Sequence, residues 1–263
     1  MKAEGGASRL WVFDFDGTLS PIVPDRTGAQ LHPASLALLG EIAADPRNRV
    51  AVLSTRALED LVPRVPVPGV ILGGSSGLEW RVPGGRTIIP GEATTRRLAE
   101  ARTRVLPLLG RLGAVPGVEI EDKRWSVAVH YRRVLPEAMP LLVPLLGELE
   151  RSPGVRVYSG PMVAQVQLIP SVNKAFGVRL LCRFLNFDAG RGRLFYAGDD
   201  ENDAAPMRWV LSRKGTAFAV GKQVRVPGAL AVDGPPALAR AIRAQIGHPP
   251  LPRKAGEREE PTG

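Results

Sequence analysis

The chain has 263 residues, 44% of them apolar, with 35 Lys and Arg against 26 Asp and Glu for a formal charge of +9. That length holds one large domain or a core with a smaller insertion, and it excludes two full enzymes. A single cysteine, Cys182, excludes an internal disulfide, and His32, His130 and His248 are too scattered for a zinc-like cluster.

The opening residues carry no apolar stretch of signal-peptide length. The greasiest later stretch, 139–146, is short and broken by Pro140 and Pro144. No export signal and no membrane span are therefore expected, and the cysteine usage suits a reducing, cytoplasmic setting.

In chain order, residues 1–8 read as a disordered end, and the first element is an apolar run at 10–13 that stops at Asp14. A helix is expected over 33–44, where Leu36, Leu39, Ile42 and Ala43 recur at helical spacing. A second apolar run, 50–53, stops at Ser54. The stretch 86–164 changes character: a long Arg-rich helix over 92–112, a strand at 118–120, an alternating strand over 125–131, a helix over 136–150 and a strand at 155–158. Beyond it come a helix over 174–184 and a third apolar run, 194–198, that stops at Asp199. Residues 248–263, rich in Pro and charge, read as a disordered tail.

Short apolar runs ending abruptly in small polar or acidic residues are expected of buried parallel strands that deliver chemistry at their carboxyl ends. Each is expected to lead into a helix. The fold class is therefore α/β: a doubly wound parallel sheet formed by 1–85 and 165–247, carrying an inserted α+β cap at 86–164.

The chemistry sits at those strand ends. Asp14 and Asp16 are two residues apart in Asp14-Phe15-Asp16-Gly17-Thr18. One carboxylate can attack phosphorus as a nucleophile while the other protonates the leaving alkoxide and then deprotonates water. Ser54 offers a hydroxyl at the same sheet edge, and Lys174 opens a helix after Asn173. The run 198–203 puts Asp199, Asp200, Glu201 and Asp203 within five residues, a local repulsion that a hard cation such as Mg²⁺ relieves. Asp14 and Asp199 can ligate one ion, with Asp203 behind them. Each feature alone also fits a turn, a helix cap or a solvated lysine; the set is coherent only together.

Nine basic residues between Arg96 and Arg133 face four acidic ones. A polyanion is one reading of this surplus. Aromatic residues make up only 5% of the chain, against a nucleic-acid track. A solvated face or a small anionic ligand fits better.

The four ordered motifs resemble the haloacid dehalogenase superfamily, in which a second Asp such as Asp16 marks phosphatase or phosphomutase chemistry. Only 37 residues separate Asp16 from Ser54, and the long insertion after Ser54 resembles the C2-type cap of sugar phosphatases. Finer features are similar to the trehalose-6-phosphate phosphatase family: Asp14-Phe15-Asp16-Gly17-Thr18-Leu19-Ser20-Pro21-Ile22, Ser54-Thr55-Arg56, 74–79, 121–126 running into 129–132, and Gly198-Asp199-Asp200.

The resemblance implies Asp14 as nucleophile, Asp16 as acid and base, and Ser54, Thr55 and Lys174 as phosphate ligands. It implies a Mg²⁺ site from Asp14, the Asp16 carbonyl, Asp199 and Asp203. Arg56, Glu79, Glu121, Lys123, His130, Arg132 and Gln165 are the implied substrate contacts. The family has other residues where this chain has Thr55, Ser76, Pro161, Gln165 and Gln167. The implied partner is a small sugar phosphate, trehalose 6-phosphate first, with glucosylglycerol, glucosylglycerate, sucrose or hexose phosphates as alternatives. A non-catalytic basic binding protein on the same scaffold is a distant third reading. No nucleic-acid or membrane partner is expected, and a monomer is.

Overall fold

A computed structural model describes residues 8–23, 26–191 and 193–247. In chain order the elements are β1 (Arg9–Phe13), α1 (Pro33–Ala44), β2 (Asn48–Leu53), α2 (Leu58–Leu61), β3 (Ile71–Gly74), β4 (Glu79–Arg81) and β5 (Thr87–Ile88). Then follow α3 (Glu92–Gly113), β6 (Glu119–Asp122), β7 (Ser126–His130), α4 (Met139–Glu150), β8 (Arg156–Gly160) and β9 (Val163–Gln167). The chain continues with α5 (Lys174–Phe184), β10 (Arg193–Gly198), α6 (Glu201–Ser212), β11 (Thr216–Val220), β12 (Leu230–Val232) and α7 (Gly234–Gly247). The ends expected to be disordered lie outside the described residues, Ser8 apart.

The larger sheet has the order β12-β11-β10-β1-β2-β3-β4-β5. Pairing is parallel from β12 to β3 and antiparallel at β3–β4 and β4–β5. Past their opening polar residues its central strands are apolar, because both faces are covered. Trp11 and Phe13, Val50 and Val52, and Phe195 and Ala197 point to one face, where α1 supplies Leu38, Leu39 and Ile42 and α7 supplies Leu238 and Ile242. Leu10 and Val12, Ala51 and Leu53, and Leu194 and Tyr196 point to the other, against Val178 and Leu181 of α5 and Met207 and Val210 of α6. Trp11 stacks on Phe195 with ring centroids 3.7 Å apart, locking β1 against β10.

The helix expected after Ser54 is present but short: α2 is four residues long and runs into a 3-10 turn at Val62–Arg64. The 17 residues between β2 and β3 pack Leu58, Leu61, Val65 and Val70 onto the sheet.

The smaller sheet is antiparallel, in the order β6-β7-β9-β8. Its one face packs on Leu98, Ala101, Val105, Leu108 and Leu112 of α3, spaced as one helical stripe, and on Leu142 and Leu149 of α4. Val127, Val129, Ala164 and Val166 meet them. The register puts Glu121, Ala128, Gln165 and Tyr158 together on the opposite face. β9, a strand not expected from the sequence, pairs with β7 and β8 as far as Gln167. Among the described residues, no helix is long and apolar enough to cross a membrane.

Candidate active site

The open face of the smaller sheet stands over the carboxyl ends of β1, β2 and β10 and encloses a cavity of about 680 Å³. From the larger sheet it is lined by Asp16, Thr55, Ser75, Ser76, Asn173, Lys174, Asp200 and Asn202, and from the smaller by Ser126, Tyr158, Gln165 and Gln167. The parallel pairing of β1 with β10 and β2 sets Asp14, Ser54 and Asp199 along one edge.

At the floor, Lys174 lies with its Nζ 2.7 Å from Asp14 Oδ1 and 2.8 Å from Asp203 Oδ1. Lys174 is the first residue of α5, whose cap Asn173 accepts from the Phe176 N–H at 2.9 Å, so the helix start fixes where the ammonium goes. All three residues are buried. Asp203 is the best satisfied of them. Its Oδ1 also accepts from the Tyr196 hydroxyl at 2.5 Å, and its Oδ2 accepts the N–H groups of Asp199 and Asp200 at 3.1 and 3.2 Å. The bond from the Asp200 N–H belongs to a capping box at the start of α6, with the Asp200 side chain reciprocally accepting from the backbone there.

Burial pushes Asp14 well above the usual carboxylate range; Lys174 opposes the rise, and Asp203 and Asp199 add to it. Asp199 is pushed up to about 6 by burial and by Asp203, again opposed by Lys174. Burial works against the Lys174 charge, yet Asp14 and Asp203 outweigh it and raise its pKa. The Tyr196 hydroxyl is raised by burial and by Asp203. The floor is thus short of positive charge. Asp14, Asp199 and Asp203 bring one oxygen each within 4.8 Å of one another, a hard donor set that fits a divalent cation. Because all four hydrogen-bonding directions of Asp203 are occupied, Asp14 and Asp199 are the carboxylates that could open toward an ion, with Asp203 bracing the backbone behind Asp199.

Gly17 makes this approach feasible. It has φ +77°, and a Cβ there would sit 1.9 Å from Asp199 Oδ2. Thr18 Oγ1 donates to Asp199 Oδ1 at 3.2 Å. A Cβ at Gly198 would similarly lie 2.2 Å from Asp203 Cγ.

The other expected site residues divide. Asp16 and Thr55 line the cavity, and so does Gln165. Ser54 lies beneath the lining, 1% exposed, its Oγ accepting the Arg56 N–H at 3.1 Å. Arg56 is not itself in the lining but is buried behind it, donating to Asp16 and Asp60. Glu79 accepts from Arg124 Nη1 at 2.6 Å, joining the two sheets' regions. Glu121, Lys123 and His130 form their own cluster at the β6 edge, with 3.2 Å from Lys123 Nζ and 3.0 Å from His130 Nε2 to Glu121 Oε2. Arg132 is exposed in the turn after β7. None of these four is in the cavity lining.

Sequence reasoning missed Tyr196 as a brace and Tyr158, Ser126 and Gln223 in the lining. Alternation in 163–167, read as a strand, would have put Gln165 and Gln167 on one face; Tyr196 carried no local signal at all.

A family model described as Trehalose-phosphatase matches residues 12–229. A trehalose-phosphate phosphatase of Mycobacterium tuberculosis (strain ATCC 25618 / H37Rv) is 37% identical over 194 residues, 73% of this chain and 48% of that protein. One from Mycobacterium leprae is 44% identical over 124 residues, 46% of this chain and 28% of that protein. The chain spans about half the length of the first of these relatives. Among solved structures, Aspergillus fumigatus trehalose-6-phosphate phosphatase superposes with a TM-score of 0.64 at 25% identity, covering 90% of this chain and 92% of that one. A haloacid dehalogenase-like hydrolase from Bacteroides thetaiotaomicron shares the fold, with a TM-score of 0.62 at 15% identity, covering 90% and 99%.

Proposed function

The chain belongs to the trehalose-phosphatase family, and from that premise we propose that it is a Mg²⁺-dependent phosphatase of a phosphorylated sugar, trehalose 6-phosphate first. The observation that carries the reading is Lys174 Nζ at 2.7 Å from Asp14 Oδ1 on the floor of a cavity roofed by neutral side chains.

In this reading an Asp14 oxygen attacks phosphorus while the bond to the sugar oxygen breaks. The electron pair goes to that oxygen, which takes a proton from Asp16. Water then attacks the aspartyl-phosphate, giving its proton to Asp16, and phosphate leaves with Asp14 restored. Lys174 and the buried Ser54 hold phosphate oxygens from below, and Thr55 holds them from the lining. Asp14 and Asp199, with the Asp16 carbonyl and the braced Asp203, would hold Mg²⁺, which would supply the positive charge that the phosphate dianion needs to approach these carboxylates.

The segments flanking the insertion act as the catalytic core and the insertion as the cap. The cap excludes water and meets the sugar through Gln165, Gln167, Ser126 and Tyr158. Across two strand spacings, about 10 Å, the Glu121–Lys123–His130 cluster on the same face receives the far end of a longer substrate. A small substrate is supported over a nucleic-acid track because four of the nine basic residues between Arg96 and Arg133 are ion-paired within the chain: Arg102 with Asp122, Arg111 with Glu148, Lys123 with Glu121 and Arg124 with Glu79.

The test is phosphate release from trehalose 6-phosphate with Mg²⁺, run beside the phosphates of glucosylglycerol, glucosylglycerate, sucrose and a hexose. Trehalose 6-phosphate is expected to lead by more than about tenfold in kcat/KM, and Asp14→Asn to abolish release. Full activity of that variant overturns the aspartyl-phosphate mechanism; a different leading sugar overturns the substrate.

A further inference from the structure

Asp16 is the one carboxylate of the proposed reaction that stands in the open, its side chain 36% exposed at the cavity. A short carboxylate half in water samples several rotamers, yet proton transfer to a leaving oxygen needs it within hydrogen-bond reach of one point. The structure supplies a buried clamp for it. Arg56, 40 residues away in sequence and 2% exposed, donates from Nε to Asp16 Oδ2 at 2.8 Å and from Nη2 to Asp16 Oδ1 at 2.7 Å. Both oxygens are thus gripped by one planar fork, a geometry that fixes orientation as well as distance.

The clamp is itself held. The third nitrogen, Nη1, donates to Asp60 Oδ2 at 2.7 Å, and the guanidinium lies 5.5 Å from the centroid of the Phe15 ring. Asp60 Oδ1 accepts from Arg64 at 2.8 and 3.1 Å, and Arg64 Nη1 reaches the carbonyls of Thr27 and Ala29 at 2.9 and 2.7 Å. The backbone on either side is tied too, by the Arg56 N–H to Ser54 Oγ and by the Ser75 N–H to the Arg56 carbonyl at 2.7 Å. A guanidinium this deeply engaged is a scaffold part, unlike a sugar ligand.

We propose that Arg56, seated by Asp60, is the positioning residue that holds Asp16 where it can protonate the leaving sugar oxygen. The inference rests on the phosphatase reading. Each carboxylate oxygen keeps a second lone pair outside the fork, on which the transferred proton is carried.

The experiment compares kcat/KM for trehalose 6-phosphate, whose alkoxide must be protonated as it leaves, with p-nitrophenyl phosphate, whose nitrophenolate leaves without a proton. Both are measured with Mg²⁺ on the full chain for wild type, Asp16→Asn, Arg56→Lys and Asp60→Asn, with a thermal melt for each. Asp16→Asn is expected to lose about a hundredfold more on the sugar phosphate than on the nitrophenyl ester. Arg56→Lys keeps the charge and loses the fork, so its selective loss is about tenfold, and Asp60→Asn, which unseats the clamp, loses about threefold.

If Asp16→Asn shows the selectivity while Arg56→Lys and Asp60→Asn lower both substrates alike, Arg56 is structural and the inference falls. Should Arg56→Lys fail to fold, the Asp60→Asn ratio decides by itself. A wild type that releases phosphate from neither substrate, or an Asp16→Asn without selectivity, instead strikes down the phosphatase reading beneath it.

Discussion

The floor and the roof of the cavity are built on opposite plans. On the floor, Asp14, Lys174, Asp199 and Asp203 are charged or chargeable, buried and cross-bonded, each held by elements of the larger sheet. On the roof, Ser126, Tyr158, Gln165 and Gln167 are neutral and belong to the smaller sheet, with Tyr158 41% exposed. Burial makes each electrostatic interaction on the floor strong and each misplaced atom costly. The roof offers hydrogen bonds that can be exchanged without disturbing that network. In the proposed reaction, phosphoryl chemistry therefore belongs to the floor and sugar choice to the roof.

The sharpest way to break this division is on the floor. Gly17→Ala forces a methyl against Asp199, and kcat with Mg²⁺ is expected to fall by at least about a hundredfold. Unchanged sugar preference in the residual activity supports the division; a changed preference breaks it.

A second test uses pH. With its carboxyl at about 6 in the fold against 3.8 unfolded, Asp199 contributes stability that is present below 3.8 and lost as pH rises through 6. Asp14, also raised, acts in the same direction. The metal-free chain is therefore expected to lose melting temperature across that window. Mg²⁺, binding the ionised carboxylates, restores it by a few degrees, roughly 2–4 °C per kcal/mol. A Mg²⁺ effect on Tm equal at both ends of the window contradicts the assignment of the cation to this cluster.

Effects on the roof are smaller and of another kind. Removing both amides in Gln165→Ala/Gln167→Ala is expected to raise KM for the sugar phosphate about tenfold, roughly 1.4 kcal/mol, with kcat nearly constant and p-nitrophenyl phosphate unaffected. A matching fall in kcat shows that the cap takes part in the chemistry.

The smallest effect lies where the two regions touch. Glu79, 4% exposed on β4, is paired with Arg124 in the turn before β7. Arg102 braces that turn by donating from Nε to the Arg124 carbonyl at 3.0 Å. A double-mutant cycle of Glu79→Gln and Arg124→Ala in thermal unfolding is expected to show a coupling of about 1 kcal/mol. Zero coupling means the bridge does not hold cap to core.

The legible parts of this molecule are those with local causes. β1, β2 and β10 were readable because an apolar run that ends in Asp or Ser records burial on two faces and exposure at one end. The bounds of α1 and α5 were readable because Pro33 and Asn173 mark their starts. β9 was not, since Gly160 and Pro161 look like a break and Gln165 and Gln167 like loop residues until the pairing with β7 makes them a polar face. β4, with Arg81 pointing out, and the three-residue β12 were too short to show a period.

By itself the sequence determined the reaction's parts: two carboxylates two residues apart, a helix-opening lysine and an acidic run, each specified by neighbours within a few residues. Tertiary structure alone decided their partners. Only the parallel order of β2, β1 and β10 lines up Asp14, Ser54 and Asp199, only the packing of α5 on that sheet brings Lys174 to Asp14, only the turn at Gly17 admits Asp199, and only a 40-residue return places Arg56 on Asp16. Chemistry is written in residue types, whereas distance between residues far apart in the chain is set by packing, which no local pattern carries.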